Sequence, residues 1–335
     1  MTQSLSSGPI SSGPIFIGID VAKAKLDLAR SDHPQVLTVT NDTGGIGQIL
    51  QMLSDLKPAI IVVEATGGLE RPLLDALLDA DLPAALVNPG RVRHLAIGLG
   101  ILAKTDAIDA RVLVEFARLA EPRLSEKRSK HRVELQALIT CRRQLVHVKT
   151  EQTNRRATTS SKPALKAIDA VLLTVDKQIR KLDGQIKDLI DGDDDLYRQD
   201  KMLRAVPGVG AVLSTTLLAE LEELGRVDRR QISALAGVAP MNRDSGQTTG
   251  ARSIRGGRTA VRCTLYMATL AAMRFNPVIC AFARRLAGTG KKGKVLIVAC
   301  MRKLLCLLNA MLRDNLQWHE LNVVRRTLAP AGGAK

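Results

Sequence analysis

The stretch FIGIDVAKAKLDLAR, residues 16–30, indicates the architecture of the N-terminal part of the chain. From Ile15 to Ile19 the sequence is apolar except for one glycine. This is typical of a buried strand, which we expect to end at Asp20. The rest of the stretch, followed by PQVLTVTN at residues 34–41, predicts a meander of antiparallel strands.

Beyond this meander, helix and strand patterns alternate along the chain. Helix, strand, helix and strand patterns follow in that order at residues 44–56, 59–68, 69–80 and 83–89. The first of these strands, AIIVVEATGG, has Glu64 at its carboxyl end. The alternation predicts an α/β layer with at least some parallel strands, and the chain becomes largely helical from about Asp106.

A long helical segment without strand signals covers residues 126–200. Between Leu165 and Leu189 its apolar residues step by three and four, which is the a/d register of a coiled coil. A turn sequence, Thr158–Pro163, divides the segment and predicts an antiparallel helical hairpin. An intramolecular spacer and an oligomerisation arm fit this pattern equally well.

These patterns predict five parts of the chain. They are a disordered leader at residues 1–14, an α/β domain at 15–125, a coiled-coil arm at 126–200, a mainly helical domain at 201–320 and a tail at 321–335. The helical domain contains a Gly/Ser/Arg-rich loop at residues 243–258, followed by apolar helices that continue to about Leu316.

The composition indicates a polyanionic partner. The chain has 335 residues, with 49 lysines and arginines against 33 aspartates and glutamates, and a net charge of +16. The basic excess lies after residue 120, so we expect the rear half to neutralise phosphates and the slightly acidic front half to hold cations. Aromatic residues are 2% of the chain, which excludes a single-strand binder built on base stacking.

Nothing in the sequence directs the chain to a membrane or out of the cell. The N-terminus lacks the basic and apolar segments of a signal peptide. We expect the longest apolar run, Val295–Met311, to be too short and too charged to span a membrane, because Arg302 and Lys303 interrupt it. The five cysteines form no C-x-x-C pair and lie in apolar helical patterns, which predicts buried thiols in a bacterial cytoplasm.

Four carboxylates form the first candidate site. Asp20 and Glu64 end buried strands, and strand ends in an open α/β sheet line the crevice where ligands bind. Asp106 and Asp109 lie three residues apart and share one helix face. Together they offer an all-oxygen cage suited to Mg²⁺ or Mn²⁺ beside a scissile phosphate. The alternative is that these four acids are solvated surface residues. We expect three nearby acids, Asp27, Asp42 and Glu70, to be solvated.

The second candidate is Pro207-Gly208-Val209-Gly210, which sits between two helical patterns. This is typical of a helix-hairpin-helix motif. Gly208 and Gly210 would let the backbone approach a DNA phosphate, whose charge is met by amide groups at the start of a helix. Such a contact is independent of base sequence. An ordinary turn between helices is the alternative.

The third candidate is the basic loop APMNRDSGQTTGARSIRGGRTAVR, residues 239–262. Ser245 lies among arginines, which bind phosphate oxygens bidentately and would stabilise a developing alkoxide. Ser253 is the rival nucleophile, and the residues alone favour a DNA-binding loop with incidental serines. GTGKKGK, at residues 288–294, lacks the spacing of a nucleotide-binding loop and fits a backbone contact. The predicted phosphate-binding side chains are Arg243, Arg252, Arg255, Arg258, Arg262, Lys291 and Lys292.

Five motifs, taken in order, resemble the DEDD transposases of bacterial insertion sequences, a group described as bridge-RNA-guided recombinases. They are IGIDVAKAKLDLA, VVEATGG, AKTDAIDARVL, VPGVGAVLSTTLLAEL and LAGVAPMNRDSGQTTGARSIRGGRTAVR. The match covers almost the whole chain, from about Phe16 to Leu316. Each motif is modest, but the five in one order are specific.

The resemblance implies an RNase H-like (RuvC-like) N-terminal domain, a coiled-coil hairpin and a mainly helical C-terminal transposase domain with a helix-hairpin-helix. It implies that Ser245 is the nucleophile, whereas the residues alone favour a DNA-binding loop in which this serine is incidental. It implies a tetramer, a dimer of dimers, that acts on donor and target double-stranded DNA. A non-coding guide RNA would pair with both DNAs, which leaves the choice of sequence to base pairing. The implied acidic tetrad is Asp20, Glu64, Asp106 and Asp109.

We therefore expect a DNA recombinase that forms a serine–DNA phosphoester at Ser245, with Mg²⁺ or Mn²⁺ held by the tetrad. Metal and serine come from two domains, of one subunit or of two. One alternative is a metal-dependent nuclease of the Holliday-junction type, in which Ser245 is only structural. The other is a non-catalytic architectural DNA-binding protein.

Overall fold

A computed structural model describes residues 13–320, except residues 104, 243, 246, 247 and 251 and the side chains of residues 248 and 249. The chain divides into two compact units, Met1–Arg128 and Ser129–Lys335. The tail predicted at residues 321–335 and all but the end of the predicted leader lie outside the described residues. The predicted limits of the five parts stay a prediction.

The first unit is built on a five-stranded mixed sheet. Its strands are β1 (Phe16–Val21), β2 (Lys25–Arg30), β3 (His33–Thr40), β4 (Ile60–Glu64) and β5 (Ala84–Val87), in the order β3-β2-β1-β4-β5. Strands β1, β4 and β5 are parallel, and β1, β2 and β3 form the antiparallel meander that the sequence predicts. The first strand runs one residue past Asp20 instead of ending there.

Helices cover both faces of this sheet. They are α1 (Thr43–Leu56), α2 (Arg71–Asp79), α3 (Pro89–Gly98) and α4 (Asp106–Ala120). Ile17 and Ile61 point into a core shared with α1 and α2, whereas Val62 and Ala85 point into a core shared with α3 and α4. Because both faces are buried, the parallel strands have continuous apolar sequences. The arrangement is consistent with an RNase H-like domain.

A close contact between β1 and α4 fixes the position of α4 on the sheet. A Cβ atom on Gly18 would lie 2.4 Å from the carbonyl oxygen of Ala110 and 2.6 Å from the Cβ of Leu113. Only glycine leaves room for a helix at this distance from the strand. The contact positions the first turn of α4, which carries Asp106 and Asp109.

The second unit begins with the helical hairpin that the heptad pattern predicts. Helices α5 (Lys130–Thr158) and α6 (Lys162–Asp191) pack against each other along their length. Three ion pairs join them, and successive pairs are seven residues apart on each helix, which matches an antiparallel heptad register. They are Arg142–Asp183 at 2.5 Å, Lys149–Asp176 at 2.7 Å and Arg156–Asp169 at 2.6 Å.

The rest of the second unit is mainly helical. Its helices are α7 (Asp194–Arg204), α8 (Ala211–Glu220), α9 (Arg229–Leu235), α10 (Thr259–Phe275), α11 (Pro277–Gly288) and α12 (Gly293–Asp314). Two small antiparallel pairs interrupt them, which the sequence did not predict. One joins β6 (Pro240–Met241) to β9 (Ser253–Ile254), and the other joins β7 (Asp244–Ser245) to β8 (Thr248–Thr249).

The apolar run Val295–Met311 lies in α12, and the expectation that it is too short and too charged for a membrane span is wrong. By length and composition alone, α12 is apolar enough to cross a membrane, as is the pair α10 and α11 despite its 91° bend. However, Cys300, Leu304 and Leu308 are fully buried among the other helices. This packing identifies α12 as a core helix, and no membrane location is indicated.

The prediction of buried thiols is only partly right. Cys300 is buried, and Cys280 and Cys306 are partly buried, but Cys141 and Cys263 are exposed. The last two lie on α5 and α10, which are exposed on one side. An apolar helical pattern therefore does not by itself bury every cysteine within it.

We expect Gly18→Ala to destabilise the first unit, because the added methyl group has to push α4 away from β1. Overpacking of this kind costs about 1–3 kcal/mol, so calorimetry should show a fall of several degrees in the unfolding midpoint. Gly47→Ala in α1 is the matched control, since nothing lies within 4 Å of its added Cβ and alanine favours a helix. Equal falls in both variants would contradict the proposed contact.

Candidate active site

Two carboxylates reach one edge of the sheet because β1 and β4 are parallel neighbours. Ile19 pairs with Val63, so the next residues, Asp20 and Glu64, follow side by side at the carboxyl ends of their strands. Glu64 pairs in turn with Val87 of β5. The strand register therefore produces the juxtaposition that the sequence predicts for these two acids.

The first turn of α4 supplies two more carboxylates. The side chain of Thr105 accepts a hydrogen bond from the amide of Ile108, so the helix begins at Asp106, as the sequence predicts. One carboxylate oxygen from each of Asp20, Asp106 and Asp109 lies within 4.8 Å of the other two. We call these three residues the acidic trio. Three oxygens this close can surround a hard divalent cation such as Mg²⁺ or Mn²⁺.

Glu64 is not a member of this group, although it lies at the same edge of the sheet. Its side chain is half-buried. The structure thus brings three of the four predicted acids together and leaves Glu64 on the neighbouring strand end. A role for Glu64 as a fourth ligand stays a prediction.

The electrostatics of the acidic trio favour a bound cation. Burial raises the pKa of Asp20 above its ordinary value, and repulsion from Asp109 and then Asp106 raises this pKa further. A hydrogen bond from the backbone of Val21 opposes these effects. Like charges at such distances destabilise one another unless a cation neutralises them, so the residues fit a divalent metal ion.

The expectation that Asp27 is solvated is wrong. Asp27 pairs with Asp20 across the strands β1 and β2, and only 3% of it is exposed. Its Oδ1 accepts a hydrogen bond of 2.5 Å from the hydroxyl of Thr38. The Nζ of Lys25 lies 3.1 Å from the Oδ2 of Asp27 and 2.7 Å from the Oδ2 of Asp106. No sequence pattern singles out Lys25, whereas Asp27 is expected as a neighbour of the trio but as a solvated one.

Glu70 is also buried, contrary to expectation, and it orders the loop that follows Glu64. Its Oε2 accepts hydrogen bonds from the amide and hydroxyl of Thr66, both at 3.1 Å, and from the amide of Gly68 at 2.8 Å. Asp42 caps α1 by accepting a hydrogen bond from the amide of Gly45. The side chains of Glu70 and Asp42 are thus used locally, in a loop and a helix cap.

The two glycines of the helix-hairpin-helix sequence differ in their surroundings. Gly208 has a φ of +93°, and a Cβ there would lie 2.6 Å from the backbone of Ala272 in α10. This glycine is therefore required for packing. Gly210 directly precedes α8 and has open space at its Cβ position, so a phosphate can approach its backbone.

Ser245 lies on the short exposed strand β7. It pairs with Thr248 across β7 and β8, and its side chain is exposed to solvent. Ser253, the rival nucleophile, is also exposed and pairs with Met241 across β6 and β9. Both hydroxyls are therefore accessible to a macromolecular substrate.

Glycine contacts and arginines fix the chain directly after β9. Gly257 has a φ of +72°, and a Cβ there would lie 2.1 Å from the backbone nitrogen of Gly237. The guanidinium of Arg258 donates two hydrogen bonds to Glu223, at 2.5 and 2.8 Å. Arg262 donates a hydrogen bond of 2.5 Å to the carbonyl of Gly256. These two arginines hold the segment in place, and their contacts with DNA stay a prediction.

The other predicted phosphate-binding residues are accessible where the structure describes them. Arg252 and Arg255 are exposed on the segment that carries Ser253. Lys291 and Lys292 are exposed directly before α12. Arg243 lies outside the described residues.

We expect Asp20→Asn to raise the stability of the metal-free protein at neutral pH. Because the pKa of Asp20 is raised in the folded state, its charged form disfavours folding above that pKa. This cost disappears as the pH falls through the raised pKa towards about 3.9, the ordinary value. Calorimetry in the presence of a chelator should therefore show a midpoint a few degrees higher for the variant at pH 7, with the difference shrinking towards pH 4.

Asp75→Asn, at an exposed position of α2, is the control and should leave the midpoint unchanged. Added Mg²⁺ should stabilise the wild-type protein and remove the advantage of Asp20→Asn. A lower midpoint for Asp20→Asn at neutral pH would contradict the electrostatic account.

Comparison with known families gives two matches in order along the chain. Residues 17–159 match a family of DEDD transposases of the IS110 type, and residues 200–284 match the transposase IS116/IS110/IS902 family. The first match contains Asp20, Glu64, Asp106 and Asp109. The second contains Ser245.

Three relatives are similar to this chain over two thirds or more of its length. The chain is 28% identical over 314 residues to the pilin gene-inverting protein of Moraxella bovis, covering 90% of this chain and 96% of the relative. It is 25% identical to the 42 kDa protein of insertion element IS900 of Mycobacterium paratuberculosis, covering 91% of this chain and 97% of the relative. It is 22% identical to the transposase for insertion sequence element IS1111A of Coxiella burnetii, covering 69% of this chain and 70% of the relative. The chain belongs to the DEDD transposases of insertion sequences.

Proposed function

We propose that this transposase cuts and rejoins DNA through a serine–DNA phosphoester at Ser245, with a divalent metal ion, Mg²⁺ or Mn²⁺, held by Asp20, Glu64, Asp106 and Asp109. The observation that carries the proposal is the approach of the acidic trio to within 4.8 Å at the carboxyl edge of the sheet. The raised pKa of Asp20 supports it, because such a group is stabilised by a cation.

The acids serve to hold and orient the metal. Asp20 is fixed by the strand pairing of β1, and Asp106 and Asp109 by the packing of α4 on Gly18. Glu64, on the neighbouring strand end, completes the tetrad as a fourth oxygen ligand. When bound, the metal would neutralise charge on the scissile phosphate and its leaving oxygen.

Ser245 supplies the nucleophile. Its Oγ attacks the phosphorus and forms an Oγ–P bond, while the bond from phosphorus to the 3′-oxygen breaks. The hydroxyl proton leaves to water, and the 3′-oxygen takes up a proton. Attack on this phosphoester by another 3′-hydroxyl reverses the step and joins new strands, so no high-energy cofactor is consumed.

The proposal requires the serine and the tetrad to act on one phosphate, in one subunit or across two. A tetramer, as a dimer of dimers, is the proposed assembly. The pilin gene-inverting protein of Moraxella bovis is named for a DNA inversion, and the proposed reaction accounts for inversion as well as insertion. A guide RNA that pairs with donor and target DNA is proposed as the source of specificity, and a chain rich in arginine and poor in aromatic residues accords with it.

DNA binding is assigned to exposed basic groups and to the backbone at Gly210. Arg252, Arg255, Lys291 and Lys292 are exposed and lie in a region with one acidic residue, Asp244, between Met241 and Lys303. Contacts of this type position DNA without reading its sequence. Arg243, Arg258 and Arg262 are proposed as further contacts in the same region.

We expect Ser245→Ala to abolish covalent protein–DNA adducts on denaturing gels, because the attacking hydroxyl is lost. Binding of the element's RNA should be unchanged. Ser253→Ala is the matched control, since this serine is also exposed and near arginines, and it should keep the adducts.

Adducts that survive Ser245→Ala but not Ser253→Ala would move the nucleophile to Ser253. Metal-dependent cleavage by the wild-type protein without any adduct would favour the resolvase-type nuclease. Wild-type protein that binds DNA but never cleaves it would favour an architectural role.

We expect the double substitution Arg252→Ala, Arg255→Ala to weaken binding to any duplex DNA. Each lost phosphate contact removes about 0.9 from the slope of log K against log salt, so the slope should fall by about 2 in fluorescence anisotropy titrations. Lys177→Ala, Arg180→Ala removes two exposed charges from α6 and should leave the slope unchanged. Equal losses for both pairs would indicate a general charge effect.

A further inference from the structure

The side chain of Lys25 lies among the carboxylates at the edge of the sheet. Its Nζ is 2.7 Å from the Oδ2 of Asp106, a member of the acidic trio, and 3.1 Å from the Oδ2 of Asp27. The side chain is 40% exposed, so its ammonium group can move into solvent. An ammonium in this position competes directly with any cation that uses Asp106.

Asp27 explains why Lys25 is held at this place. The side chain of Asp27 is 5% exposed, and its Oδ2 is buried without a well-oriented hydrogen bond. A buried carboxylate is unfavourable unless a positive charge accompanies it. The nearby ammonium of Lys25 supplies that charge, and Asp27 in turn keeps it at the edge of the sheet.

The topology makes this arrangement specific. Asp27 faces Asp20 across β1 and β2, and Lys25 is two residues away on β2, so it points to the same face of the sheet. Helix α4 packs over β1 and β2 and brings Asp106 to the same group. The hydrogen bond to Asp106, and then the close contact with Asp27, raise the pKa of Lys25.

We propose that Lys25 is a built-in counter-cation of the acidic trio, which a divalent ion has to displace from Asp106 in order to bind. This inference rests on the proposed function, because it takes the trio as the metal site. Displacement frees Asp106 to ligate, while the buried carboxylate of Asp27 retains the ammonium close by. Lys25 is thus a residue that sets metal affinity, and it is not itself a ligand.

The inference predicts tighter metal binding when the positive charge is removed. Manganese binding to the full-length protein is to be measured by calorimetric titration and by the decrease of the free Mn²⁺ signal in electron paramagnetic resonance. Lys25→Met should bind Mn²⁺ roughly three- to tenfold more tightly than wild type, because an exposed ion pair and a cation–cation repulsion are removed together. Lys25→Gln should behave in the same way, and Lys25→Arg should remain close to wild type.

Lys23→Met is the matched control. The side chain of Lys23 is exposed, and the substitution removes the same charge at a position two residues before Lys25. It should change Mn²⁺ affinity far less than Lys25→Met. Unchanged or weaker Mn²⁺ binding in both Lys25→Met and Lys25→Gln would overturn the inference, and so would equal tightening in Lys23→Met.

Failure of the proposed metal site is recognised separately with Asp109→Asn. If the wild-type protein binds Mn²⁺ and Asp109→Asn does not, the metal site stands and the Lys25 variants alone decide this inference. If Asp109→Asn binds Mn²⁺ as wild type does, the proposed site and the inference that rests on it both fail.

Discussion

The repulsion among Asp20, Asp106 and Asp109 is the constraint on which the candidate site depends. The fold holds these three carboxylates within 4.8 Å of one another in spite of their charge. Other interactions in the first unit offset this repulsion. They are the burial of both faces of the sheet, the close packing of α4 on Gly18 and the helix cap at Thr105. Such stored electrostatic strain is typical of functional sites, because a ligand of opposite charge relieves it.

The same reasoning explains the positive charge beside the trio. A site with several carboxylates and no metal would destabilise the fold and attract cations of any kind. Lys25, paired with Asp106 and the buried Asp27, moderates this cost in the metal-free protein. Stability without metal and affinity for metal are then opposed, and one lysine side chain sets the balance between them.

Much of this site is predictable from sequence, because it follows from strand and helix patterns. The alternation of strands and helices predicts some parallel strands, and the apolar runs place Asp20 and Glu64 at strand ends. The three-residue spacing of Asp106 and Asp109 places both on the first turn of a helix that begins at Asp106, as predicted. The heptad spacing, together with the turn sequence Thr158–Pro163, likewise predicts the antiparallel pairing of α5 and α6 that three ion pairs confirm. These strand and helix assignments follow from the spacing of residues within short segments, which the sequence shows directly.

The burial of Asp27 and Glu70 is not predictable in this way, because it depends on what covers a strand or a loop. Asp27 alternates with Leu26 and Leu28, which suggests a solvent-facing acid, but α4 covers the second face of the sheet. The small strands around Ser245 are too short to leave a periodic signal. The role proposed for Ser245 does not follow from sequence patterns either, since the residues alone favour an incidental serine and only the family resemblance implies that it attacks DNA.

The metal site is tested most directly by locating Mn²⁺ through its anomalous scattering in crystals of the protein. If the acidic trio is the metal site, one or two peaks lie at the carboxyl edge of β1. Oxygens of Asp20, Asp106 and Asp109 then lie at about 2.0–2.2 Å from the metal, and the Nζ of Lys25 is withdrawn from Asp106. A protein saturated with Mn²⁺ in solution whose peaks all lie away from these three carboxylates would contradict it.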